Sequence, residues 1–183
     1  TLQKAGGKAG RRHIFGYSLK LDFYGEDVDL KVYVRNQFGL GNLLRIQNEI
    51  MVDREDGKID LQGLLNHAAG NTLVFGTLSA YWMMKNPKVV QDLQRAFGKV
   101  YYQVDPTEYK ADRIDQRYLN NLRQCFWHFH RDGVFDIEPV LISDCYYPDR
   151  DDFRSKVVLN KVATGAAHNQ SEDQYFKSVD DLY

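Results

Sequence analysis

Between residues 13 and 35, apolar and polar positions alternate with a period of two. Tyr17, Leu19, Leu21 and Phe23 alternate with Ser18, Lys20 and Asp22. After Tyr24-Gly25-Glu26-Asp27, the residues Val28, Leu30, Val32 and Val34 alternate with Asp29, Lys31 and Tyr33. Such a pattern on both sides of a Gly-containing turn predicts a β-hairpin with one buried face. Over 40–52 the period lengthens, and Leu40, Leu43, Leu44, Gln47, Ile50 and Met51 predict a helix. A short helix is expected over 61–69. The apolar run 73–84 fits a buried helix or a buried strand; Ala80, Met83 and Met84 favour the helix. Asn86-Pro87 opens a further helix with Val89, Val90, Leu93, Ala96 and Phe97 on its apolar face and Gly98 at its end. Residues 100–104 read as a strand. A long helix then carries Ile114, Tyr118, Leu122, Phe126 and Phe129 on one face, up to Asp132-Gly133. Residues 134–142 form a second strand candidate, with Pro139 marking an edge or a bulge.

This order predicts an α+β fold, a small antiparallel sheet including the N-terminal hairpin packed against several helices. The expected organisation is a flexible basic arm at 1–12, one domain at 13–162 and a polar, acidic C-terminal tail at 163–183. No solenoid or propeller period is present.

Composition supports a packed core. Of 183 residues, 43% are apolar and 27% charged, ordinary values for a folded domain. The formal charge of −1 argues against non-specific nucleic-acid binding by the body of the protein. Its distribution is uneven: Lys4, Lys8, Arg11 and Arg12 make a basic head, and Glu172, Asp173, Asp180 and Asp181 an acidic tail. The two cysteines, Cys125 and Cys145, are read as reduced thiols of a cytoplasmic or otherwise intracellular protein. No apolar run reaches about 18 residues, and the first residues lack a signal-peptide core, so no membrane contact is expected.

Several groupings offer chemistry. Cys125, His128 and His130 are zinc-ligand types, although on a helix His128 and His130 would diverge; their structural reading is a core thiol and two helix-end histidines. His128-Phe129-His130 resembles the His-hydrophobic-His pair of rolling-circle replication nucleases, which implies a divalent metal and a later tyrosine nucleophile, here Tyr146, Tyr147 or Tyr175. Asp29-Leu30-Lys31 resembles the Asp/Glu-x-Lys strand of metal-dependent nucleases. That resemblance implies a second acid, Asp22 or Asp27, a bound Mg²⁺ and a water-orienting lysine. The structural reading of Asp29 and Lys31 is the solvated face of an amphipathic hairpin. Residues 53–60 lack the ligands of a calcium loop and read as a turn. Gly39-x-Gly41 could present amides to an anion or be a plain loop. Asp144, beside Cys145, would raise the thiol pKa, which argues against a nucleophile there.

The leading expectation is a non-enzymatic assembly or binding protein, such as a viral or phage structural component. It would use its charged arms to contact other copies or a protein partner, without a cofactor. Lys4, Lys8, Arg11 and Arg12, with aromatic patches at Tyr101, Tyr102, Tyr146 and Tyr147, are the expected contact residues. The alternatives are a metal-dependent nuclease or phosphodiesterase and a nucleic-acid-binding module that clamps phosphates with its basic arm.

Overall fold

In the computed structural model, the described residues are 7–8, 10, 13–54, 56–76, 79–105, 123, 127, 137–165 and 172–182. The predicted hairpin forms as β1 (Gly16–Phe23) and β2 (Glu26–Val34), paired antiparallel from Gly16↔Tyr33 to Phe23↔Glu26. Tyr24 and Gly25 turn the chain, both at positive φ. The helical period that follows becomes α1 (Gln37–Asn48), which continues into one π-helical turn, Glu49–Asp53. Asn36 caps α1 by accepting the Gly39 amide at 2.9 Å.

Next come a two-residue strand, β3 (Ile59–Asp60), α2 (Leu61–Asn66) and β4 (Asn71–Phe75). Asp60 caps α2 through the Gly63 amide at 2.8 Å. Residues 73–84 are therefore not one helix: β4 takes the first part, and α3 (Ala80–Lys85) begins only at Ala80. Leu73, Val74 and Phe75 are all buried. A strand covered on both faces loses the alternation that would identify it. Then follow α4 (Pro87–Phe97), β5 (Val100–Val104) and β6 (Glu138–Leu141). Gly98 ends α4 in the left-handed conformation at φ 70°. Asn86 makes no side-chain cap to α4; its Nδ2 donates to the Trp82 carbonyl at 3.0 Å and closes α3 instead. Of the expected long helix before β6, only Arg123 and Trp127 are among the described residues, both helical and exposed; the residues of its expected apolar face lie outside them.

The sheet order is β3-β1-β2-β4-β5-β6. It is mixed rather than wholly antiparallel: β1–β2 and β2–β4 are antiparallel, whereas β1–β3, β4–β5 and β5–β6 are parallel. The α+β class stands. Pro139 sits on the edge strand β6, where its missing N–H costs no interior ladder bond. One face of the sheet presents Leu19, Leu21, Leu30, Val32, Leu73, Phe75, Val100 and Tyr102 to the core, which includes Leu43, Ile46, Leu64, Met83, Val90, Leu93 and Phe97 from the helices.

After β6, a 3-10 turn (Arg150–Asp152) leads into α5 (Phe153–Thr164). The sequence pattern predicts a polar tail from 163, but part of that tail is bound to the body. Tyr147 and Tyr175 form a parallel bridge, the Tyr146 amide donates to the Gln174 carbonyl at 2.8 Å, and the Phe176 amide donates to the Tyr147 carbonyl at 3.0 Å. The chain then makes a last turn, α6 (Val179–Leu182). Among the described residues, no helix is long and apolar enough to cross a membrane.

Candidate functional site

The alternation that sends Leu19, Leu30 and Phe75 into the core sends Ser18, Asp29 and Lys31 to the opposite face. The register sets Ser18 across from Lys31, and the Gly76 amide donates to the Asp29 carbonyl at 2.9 Å, carrying the β2–β4 ladder one residue past β4. On β5, Tyr102 points into the core and Gln103 to this second face. These residues, with Asp144 and Cys145 after β6, line an open cleft of about 420 Å³. It lies near the carboxyl ends of the parallel strands β4 and β5, where open α/β sheets usually hold their ligands.

Lys31 is the centre of the cleft's polar network. Its ammonium donates to Gln103 Oε1 at 2.7 Å and to Asp144 Oδ1 at 2.9 Å. The side chain of Lys31 is 17% exposed and that of Asp144 42%. Lys31 is thus withdrawn from water beside a wetter carboxylate, and the pairing offsets part of its desolvation. The orientation of Gln103 follows from its other end: Nε2 donates to the Ile142 carbonyl at 2.9 Å, leaving Oε1 to accept from Lys31. The loop after β6 is held by Asp105, whose buried Oδ2 accepts the Asp144 amide at 3.2 Å. Gly76 keeps the floor open and the strands close. A Cβ there would come within 3.0 Å of the Asp29 carbonyl oxygen and 3.2 Å of the Asp29 Cβ.

The acid that meets Lys31 is therefore Asp144, not Asp22 or Asp27. Asp22 accepts the Gly25 amide at 3.1 Å and stabilises the hairpin turn. Asp27 pairs with Lys58 at 2.6 Å and Lys20 at 3.7 Å, and the Lys58 hydrogen bond holds its carboxyl below the usual range. Nor is Lys31 simply a solvated surface lysine. The period-two pattern placed Asp29 and Lys31 on one face, but no local signal pointed to Gln103 or Asp144.

Other sequence candidates scatter. Lys4, Arg11, Arg12, Cys125, His128 and His130 lie outside the described residues. Lys8 is exposed. Tyr146 is exposed at the lip of the cleft and Tyr101 is half-buried. Tyr102 and Tyr147 are buried rather than displayed, at 3% and 7% exposure, Tyr102 because it points into the core side of β5. Burial pushes the Tyr147 phenol above its usual pKa, and its oxygen accepts the Gln174 amide at 3.2 Å. The Gly39-x-Gly41 amides form no anion cradle, because Asn36 occupies the Gly39 amide and Gly41 lies inside α1. Between the π-helical turn that ends at Asp53 and β3, Arg54 pairs with Asp56 and with Asp60. Among the described residues, no three His, Cys, Asp or Glu side chains are grouped to hold a metal. No protein-family model and no curated protein matches the chain.

Proposed function

We propose that this cleft is the working site and that the protein hydrolyses phosphodiesters with a divalent cation, as a nuclease or related phosphodiesterase. The observation that carries the reading is the convergence of Asp29, Lys31 and Asp144 on one open space. It departs from the non-enzymatic expectation, which treated Asp29 and Lys31 as a solvated face.

Asp29 and Asp144 offer hard carboxylate oxygens, the donor type that suits Mg²⁺ or Mn²⁺. Magnesium commonly uses one or two carboxylates and completes its shell with water and substrate phosphate oxygens, so two acids form an adequate donor set. Such a cation supplies charge neutralisation and an acidified water. Lys31 is already held at the site by Gln103, and a phosphoryl oxygen can take the place of Asp144 as its acceptor. Tyr146, 54% exposed at the lip, offers a ring on which a base can stack.

Labelled single-stranded and duplex DNA and RNA, incubated with the protein in Mg²⁺ or Mn²⁺, test the reading. Cleavage is expected that stops with chelator and falls about a hundredfold or more in Asp29→Asn, Asp144→Asn and Lys31→Ala. Manganese binding, followed by electron paramagnetic resonance without substrate, should weaken in the two aspartate variants. No cleavage in either metal, or cleavage indifferent to all three substitutions, overturns the assignment.

A further inference from the structure

Helix α5 is unusual for a helix of this length because none of its described residues is buried. Val158, Leu159 and Val162 are 61%, 63% and 79% exposed. Val162 is four residues from Val158 and three from Leu159, so the three share one side of the helix. The helix also carries Arg154, Lys156 and Lys161 and no acid. α5 is thus a basic helix with an apolar stripe that the described residues leave exposed.

A second uncovered patch has the opposite charge. Phe176 and Val179 are 73% and 69% exposed, and Glu172, Asp173, Asp180 and Asp181 flank them against the single Lys177. This segment is held in place. Besides its bonds to 146 and 147, the Phe176 amide lies 3.2 Å from the Pro148 carbonyl, and the Lys177 ammonium sits 4.7 Å over the Tyr175 ring. Asp181 accepts from the Ser178 amide and hydroxyl at 2.9 and 2.8 Å, which sets the last turn. Phe176 and Val179 are consequently presented outward on a fixed support, so docking them costs little ordering entropy.

We infer that the acidic 172–181 segment of one copy docks on the basic, apolar face of α5 of a second copy. Each patch supplies what the other lacks: apolar side chains to cover, and charge of the opposite sign around them. Made once between two copies, such a contact is heterologous and runs head to tail; made reciprocally, it closes a two-fold dimer. A small apolar centre with charged surroundings gives a weak contact, sensitive to salt.

Sedimentation velocity on the full chain, over a wide concentration range and at low and high salt, tests the inference. The wild type should self-associate as concentration rises, into longer chains if the contact is single and into a closed dimer if it is reciprocal, and added salt should disperse the assemblies. Val158→Glu/Val162→Glu and Phe176→Ser/Val179→Ser alter exposed positions only, and circular dichroism should show both variants folded. Each variant alone should be monomeric, and an equal mixture should form heterodimers that grow no further, since each partner keeps one intact patch. A wild type that stays monomeric overturns the inference. So does a tail variant that still self-associates, which would mean that α5 pairs with itself. An α5 that binds anionic vesicles without self-association would assign this face to a membrane instead. The cleft variants Asp29→Asn and Lys31→Ala should associate normally, so failure here and failure of the catalytic reading are separable.

Discussion

Lys31 and Asp144 are 113 residues apart in sequence, yet the lysine Nζ lies 2.9 Å from the aspartate Oδ1. The contact joins the N-terminal hairpin to the loop beyond the edge strand across the second face of the sheet. Lys31→Met should lower stability by about 1 kcal/mol, since Asp144 is partly hydrated and recovers water when its partner leaves. Asp144→Leu should cost more, because it leaves the less exposed cation with the neutral Gln103 oxygen and no counter-charge. The double variant should be more stable than the two single effects predict when added. Urea unfolding of the four proteins checks this, and strictly additive effects would contradict the pairing.

Two glycines in α1 should respond in opposite directions to the same change. A Cβ at Gly39 would lie 2.0 Å from the Gly70 carbonyl oxygen, a backbone atom that cannot swing aside. Gly39→Ala should therefore destabilise by about 2–4 kcal/mol. A Cβ at Gly41 would meet no atom of the described residues within 4 Å, and the position sits inside the helix. Gly41→Ala should therefore stabilise by about 0.5–1 kcal/mol. Thermal unfolding measures both, and equal effects would show that α1 does not pack against the 70–71 turn.

Trp82 fills the space between Phe23, whose ring it meets edge-on at 5.3 Å, and Phe75 at 6.1 Å. Its Nε1 is buried and has no hydrogen-bond partner among the described residues. Trp82→Phe removes that N–H and keeps most of the contact, so it should cost less than about 1.5 kcal/mol. Trp82→Ala leaves a cavity and should cost about 3–5 kcal/mol. Calorimetric unfolding of both variants separates packing from polarity; a large loss in the Phe variant would mean that the indole N–H is satisfied after all.

Lys58 depresses the Asp27 carboxyl pKa, and Asp27 in turn raises that of Lys58. For Asp27 the folded value lies below the unfolded one, so its contribution is present above the ordinary carboxylate range. It is lost as pH falls through the depressed value. Lys58→Met should move the Asp27 titration upward, as followed by carboxyl-carbon NMR. An unchanged titration would exclude the ion pair in solution.

The hairpin was legible because each strand has one buried face, and a period of two reports that directly. The strand β4 was not, since Leu73, Val74 and Phe75 are all buried and a continuous apolar run has no period to read. The tail misled for a different reason. Composition over 163–183 reads only as a polar, acidic tail, whereas most of its bonds at Tyr146 and Tyr147 are made by backbone groups, which composition does not encode.

Side-chain alternation along β2 was enough to place Asp29 and Lys31 on the same face, whatever the strand's neighbours. It named a face and not a partner. Which groups Lys31 meets depends on β4 and β5 lying beside β2, on Gln103 facing outward from β5, and on Asp105 holding the loop that carries Asp144. Those pairings join segments far apart in the chain, and their energy arises only when the strands are side by side. The chemistry of the hairpin is therefore local and readable along the chain, whereas the cleft it helps to form exists only in the assembled sheet.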